Sequence, residues 1–116
     1  MEEERELLRG NTHTLVMAVL RDGPMHGYAI AREINRRSRE ALRCKQGTLY
    51  PVLYALEEEA LIQGVWEHTE GERPRKVYVL TEAGLGELAR RIRLWKQFNA
   101  AVEGVIAGDN PDAQPA

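Results

Sequence analysis

Gln46-Gly-Thr-Leu-Tyr-Pro-Val-Leu-Tyr-Ala-Leu-Glu-Glu-Glu-Ala-Leu61 is the stretch on which the reading of this chain turns. Leu49, Val52, Leu53, Leu56 and Leu61 form one apolar stripe at helical spacing, whereas Tyr50 and Tyr54, four apart, share a different face. Pro51 lacks an N–H and is tolerated near a helix start. This predicts a helix beginning at about Thr48, with Tyr50, Pro51 and Tyr54 turned outward. Two tyrosines facing solvent beside a basic stretch make a stacking and hydrogen-bonding surface, which a plain structural helix does not need.

The basic stretch lies immediately upstream. From Arg32 to Lys45 six basic residues (Arg32, Arg36, Arg37, Arg39, Arg43, Lys45) stand against two acids, Glu33 and Glu40. Such a block is either a solvated helix face or a phosphate-binding surface. The chain as a whole carries a net charge of −2, unusual for a DNA-binding domain, because its acid is concentrated in residues 1–6 and at Glu57-Glu58-Glu59.

Further upstream, about Leu7–Arg21 reads as a core helix stopped by Asp22-Gly23-Pro24. His26–Ser38 reads as a short amphipathic helix, with Ile30 and Ile34 inward and Arg32, Arg36 and Arg39 on another side. Leu42, in the connector, is expected to plug the core; Tyr28 could reach phosphate or pack beneath the following helix, and packing is the preferred reading. Gly27 and Gly47 are read as allowing tight helix starts.

Downstream, Ile62–His68 and Val77–Leu80 carry β-formers around a polar tip, Thr69–Lys76, with Arg73, Arg75 and Lys76 clustered at its far end. Trp66 is assigned to the core. Thr81 is an N-cap for a helix running to about Ile106. Leu85, Leu88, Ile92, Trp95, Asn99, Val102 and Ile106 alternate at steps of three and four, a heptad seam, and Leu94, Phe98, Ala101 and Val105 add a second stripe. A helix with two apolar sides exceeds what so small a core can cover, so the surplus calls for a second copy of the chain.

Helix, helix, helix, hairpin, long helix is the order of a winged helix-turn-helix. The fold class expected is mainly α with a small β wing: a DNA-binding domain over 1–80, a C-terminal dimerisation helix over 81–107 and a disordered tail over 108–116. Gln46, Thr48, Tyr50, Pro51 and Tyr54 are the candidates for contact with double-stranded DNA on the third helix. Arg43, Lys45, Arg73, Arg75 and Lys76 are the candidates for phosphate. Trp95 at the seam would meet its own copy across a two-fold axis. Two indoles facing a gap would accept a flat apolar effector, with Leu15, Ile92, Phe98, Asn99 and Val102 lining the same space; the plainer alternative is that Trp95 only fills the interface.

The residues also resemble a known family. Leu8-Arg9-Gly10, Gly23-Pro24-Met25-His26-Gly27-Tyr28, Gly47-Thr48-Leu49-Tyr50-Pro51, Leu56-Glu57 with Leu61-Ile62, and Tyr78 with Leu80-Thr81-Glu82-Ala83-Gly84 together resemble the PadR family of bacterial transcriptional regulators in its short form. That resemblance spans Leu8 to about Val102. It implies a homodimeric repressor on a pseudo-palindromic operator, often released by a small molecule. The wing departs from the family's Gly-Arg-rich pattern: Glu70, Glu72 and Pro74 make it less basic and stiffer.

Other classes fare worse. No Ser/His/Asp or Cys/His set, phosphate loop or paired-carboxylate motif is present, so neither catalysis nor a cofactor is expected. Cys44 is the single cysteine, which excludes an intrachain disulfide, and its reading is that of an inert small residue. His13, His26 and His68 lack metal-ligand spacing. No apolar run reaches membrane-spanning length, and the acidic N-terminus is unlike a signal peptide, so a cytoplasmic protein is expected. The competing function is a winged-helix protein–protein module, which would place an aliphatic patch on the third helix. A third is a ligand sensor that binds DNA only with a partner.

Overall fold

A computed structural model describes residues 10–108. Along them run α1 (Thr12–Arg21), β1 (Met25–His26), α2 (Gly27–Arg37), α3 (Gln46–Glu58), β2 (Ile62–Glu67), β3 (Arg75–Leu80) and α4 (Glu82–Ala107). The fold is mainly helical, with a winged helix-turn-helix and a long C-terminal helix. Gly10 and Asn11 form a turn before α1, so the expected first helix is shorter at its start; its Leu7–Arg9 portion lies outside the described residues, as does the tail beyond Gly108.

The apolar stripes meet in one core. Val16 and Met17 of α1, Ile30 and Ile34 of α2, Leu49, Leu53 and Leu56 of α3, Ile62 of β2 and Leu88 of α4 are all buried. Each such side chain stabilises the fold by roughly 1.5–3 kcal/mol relative to exposure. α1 sits at the centre and packs against α2, α3, β3 and α4.

The wing has three strands where two were expected. Met25 and His26 pair antiparallel with Tyr78 and Val77, giving the order β1-β3-β2. Two residues between a Pro and a helix carry no period-2 signal of their own, so pairing with β3 decides their conformation. β3 also begins earlier than expected, at Arg75, because Glu67 and Trp66 find partners in Arg75 and Lys76. Arg75 and Lys76 therefore stand on the strand, and only Arg73 remains on the tip.

Trp66 corrects the expectation of a core residue: it is 58% exposed. Alternation places it on the same face as Ile62, but two pairs further out, where no helix remains to cover it.

α3 starts at Gln46, two residues earlier than the proline suggested, and Pro51 lies inside it. The missing N–H of Pro51 leaves the Gly47 carbonyl without its i+4 partner, on a face exposed to solvent. The helix ends at Glu58, short of Leu61. Leu61 N–H donates to the Leu56 carbonyl and Ala60 N–H to the Glu57 carbonyl, the paired bonds of a Schellman end, with Ala60 left-handed at φ 59°.

α4 is joined to the domain by a tight seat. The Thr81 hydroxyl accepts from Gly84 N–H at 3.0 Å and lies 2.8 Å from the Ala60 carbonyl, to which it donates. A Cβ at Gly84 would stand 2.0 Å from the Leu61 carbonyl oxygen, so only glycine lets α4 approach this closely. Leu85, expected on the buried seam, is 50% exposed; Gly84 and Leu88 face the domain in its place.

Candidate nucleic-acid interface

α2 and α3 are linked by a strained connector that sets where α3 begins. Arg39, Glu40 and Arg43 all have left-handed backbones, at φ 52°, 63° and 49°. Each costs on the order of 1–2 kcal/mol for a residue bearing a Cβ. Local bonds hold the shape: Glu40 N–H reaches the Asn35 carbonyl at 2.8 Å, and Leu42 N–H reaches Ser38 Oγ at 3.3 Å. The Asn35 amide closes it from both sides, donating to the Cys44 carbonyl at 2.9 Å and accepting from Cys44 N–H at 2.6 Å. The Cys44 side chain is buried, and burial pushes its thiol pKa up, away from the thiolate that redox chemistry needs.

Beyond this clasp, Lys45 caps α3 with extended geometry, and Gln46, Thr48, Tyr50, Pro51 and Tyr54 line its exposed side. Tyr54 is 68% exposed. The Gln46 side-chain amide donates to the Tyr28 carbonyl at 2.9 Å, tying α3 to the first turn of α2.

Part of the basic block is closed on itself. Arg36 and Arg37 both grip Glu33, at 2.7 Å each, and Arg37 also reaches Asp22 at 2.8 Å. Their hydrogen bonds hold the Glu33 carboxyl at a pKa of about 2. Arg43 and Lys45, immediately before α3 in the chain, are both exposed.

A cleft of about 380 Å³ separates the root of the wing from α3. Tyr28, Tyr50, Tyr78 and Trp66 supply its rings, and His26, Arg75 and Lys76 its polar groups. Tyr28, expected to pack beneath α3, instead stacks on His26 at 5.9 Å and is 45% exposed. The α2 helix begins beside this cleft, and a side chain at Gly27 would crowd Tyr50 Oη at 3.0 Å; the glycine serves ring packing. At Gly47 the space is open, so no close approach explains that glycine. Lys76 sends its ammonium to Glu57 at 3.0 Å and lies over the Tyr78 ring at 5.3 Å. Hydrogen bonding to Glu57 raises the Lys76 pKa, and burial raises that of Tyr78. Trp66 escaped sequence reasoning as a site residue, because its place opposite Lys76 is set by strand register.

A second cavity, a groove of about 490 Å³, lies between α1, the connector and α4. It brings together Leu15, Ile92, Trp95 and Asn99, as expected, and adds Asn11, Thr14 and Leu42. Phe98 and Val102 stand outside it. Leu42, expected as a core plug, does pack against the core, but it is only half-buried and its remaining surface forms part of the groove wall. Further along α4, Leu94, Phe98, Val105 and Ile106 are exposed.

Two helices joined by a short connector, a polar and phenolic face on the second, a wing and a trailing helix define a winged helix-turn-helix regulator. The chain matches the Transcriptional regulator PadR-like family over residues 16–90, and it belongs to that family, which is one of regulators and not of enzymes. It is 31% identical over 100 residues to the transcriptional regulator Rv3488 of Mycobacterium tuberculosis, covering 86% of this chain and 90% of that protein. A PadR family regulator from Eggerthella lenta superposes with a TM-score of 0.78 at 31% identity, covering 90% of this chain and 88% of that one. Bacillus subtilis PadR, solved in complex with operator DNA, superposes with a TM-score of 0.64 at 25% identity; the match covers 73% of this chain and 48% of that protein. Among the described residues, no helix is long and apolar enough to cross a membrane.

Proposed function

We propose that this chain is a homodimeric repressor that binds a pseudo-palindromic operator through α3 and is released by a flat apolar small molecule. The observation that carries the DNA reading is the outward edge of α3. Gln46, Thr48, Tyr50 and Tyr54 are all exposed on one helix whose apolar side is fully used in the core. Amide, hydroxyl and phenol groups suit base edges and phosphates, whereas a protein-docking module would put aliphatic side chains there. Arg43 and Lys45 before α3, with Arg73 and Arg75 on the wing, supply charge to either flank. Lys76 contributes less, because Glu57 already partners it. The likeness to a regulator solved with operator DNA supports the same reading.

The dimer rests on α4, where Leu94, Trp95, Phe98, Val105 and Ile106 are about half or more exposed. The effector rests on the groove, whose size suits a small molecule and whose wall sets Leu15, Leu42, Ile92 and the Trp95 indole beside the polar Asn11, Thr14 and Asn99.

Duplex selected from a random pool tests the reading, by fluorescence anisotropy over a range of salt. Selective binding with a slope reporting several phosphates is expected. Arg73→Ala should lower that slope by about one, and Lys76→Ala by less. Failure to enrich any duplex from the pool would end the DNA reading.

A further inference from the structure

The groove and the start of the recognition helix share one short segment, the connector between α2 and α3. Leu42 is part of the groove wall with Leu15, Ile92 and Trp95. Two residues later Cys44 is clasped by Asn35, and one residue after that Lys45 caps α3. No regular secondary structure intervenes. Leu42 is also flanked by left-handed residues, Glu40 before it and Arg43 immediately after. A segment held in sparsely populated backbone states persists only while its surroundings over-determine it, and such strain clusters at ligand clamps and switch regions.

We propose that Leu42 couples the groove to the recognition helix: a molecule seated beside Trp95 displaces Leu42, and the connector carries that displacement through Arg43 and Cys44 to Lys45 and Gln46. Asn35 is the fulcrum. It holds Cys44 to α2 at both backbone atoms, so a shift of the connector tilts the start of α3 relative to α2 and cannot dissipate in a slack loop. The Gln46–Tyr28 bond is the contact that must give way at the other end. The proposal rests on the DNA-binding and effector readings above and adds the route between them. Coupling of this kind is reciprocal, so bound duplex must weaken the groove's hold on its occupant by the same factor.

The test uses the full chain, the duplex selected above, and N-phenyl-1-naphthylamine, a flat neutral fluorescent probe. Its seating is read by its own emission and by quenching of tryptophan that Trp95→Ala removes. The measured quantity is the ratio of duplex Kd with and without saturating probe, in which any uniform change in duplex affinity cancels. In the unaltered protein the probe should weaken duplex binding about tenfold. In Leu42→Ala the probe should still seat, and the ratio should fall to within about twofold of one; Leu42→Met, which keeps the apolar volume, should restore it. A wild-type ratio in Leu42→Ala with the probe seated overturns the route. So does a ratio of one in the unaltered protein with the probe seated, or failure of the probe to seat at all. Absence of duplex binding before any probe is added is a separate outcome: it removes the DNA reading itself, and the route with it.

Discussion

The two halves of α4 have the same helical repeat of apolar residues and opposite fates. From Glu82 to Ile92 one side of the helix is seated on the domain, with Leu85 half-exposed on the other: Gly84 and Leu88 are buried, and Thr81 locks its start to the end of α3. From Arg93 onward, Leu94, Trp95, Phe98, Val105 and Ile106 are exposed, up to 82% at Val105. Periodicity is therefore a statement about faces and says nothing of what covers them. The first half takes its cover from its own chain, and the second presents the same kind of face to solvent. A dimer would complete the difference, and substitutions in the two halves should fail in different ways.

Gly84→Ala should have the largest effect. Its methyl would meet a backbone carbonyl, which has no rotamer to yield, so a loss of about 3 kcal/mol is expected. In thermal melts that is a fall of roughly 10–20 °C. An unchanged melting temperature would mean that α4 sits less tightly on Leu61 than the geometry shows.

Phe98→Glu should leave the fold intact and attack association alone. Phe98 is 68% exposed in the single chain, so the protomer loses little, whereas a charge buried in an interface should weaken the dimer by about 2 kcal/mol, roughly 30-fold. Sedimentation across a concentration series reads this directly. A chain that is monomeric before the substitution would remove the basis of the comparison.

The anchored half was only partly legible beforehand. Thr81 as a cap could be read from its own chemistry and from Glu82 beside it. Gly84 could be seen only as a departure from the capping box, because the carbonyl it must avoid is 23 positions away at Leu61. The three helices and the long fourth followed from the apolar stripes; β1 did not, since two residues cannot show a period. At the candidate interface the α3 face was readable, but the side chains that occupy its neighbours were not. Glu33 closes on Arg36 and Arg37 within one helix and could have been found by counting three and four. Lys76 reaching Glu57, and Trp66 left beyond the core, depend on strand register and on where the helices stop.

Thr81→Ala sits a step lower in size. It removes the acceptor for Gly84 N–H and the donor to the Ala60 carbonyl, a cap whose loss typically costs about 1 kcal/mol. Urea unfolding should show it in the midpoint with an unchanged slope, and dimer affinity should stay as it was.

The smallest effect falls where the two halves meet. Glu87 grips Arg90 and Arg91 at 2.8 and 2.7 Å, and those hydrogen bonds lower its pKa from 4.5 to about 2. A carboxylate depressed in the folded state binds protons less readily than in the unfolded chain. Its contribution is therefore complete above pH 4.5 and lost as pH falls from there toward 2. Glu87→Gln should consequently lower stability by less than Thr81→Ala near neutrality, and the gap should narrow as pH falls below 4.5, most of it gone by about pH 2.5. Burial and the nearby Arg91 lower the pKa of His13 from 6.5, and that group is common to both proteins. Urea midpoints of both proteins between pH 2.5 and 7 would show the pattern. A constant offset down to pH 2.5 would mean that Glu87 acts through packing rather than charge. The fork would then belong to the anchored half's core and not to the surface where α4 leaves it.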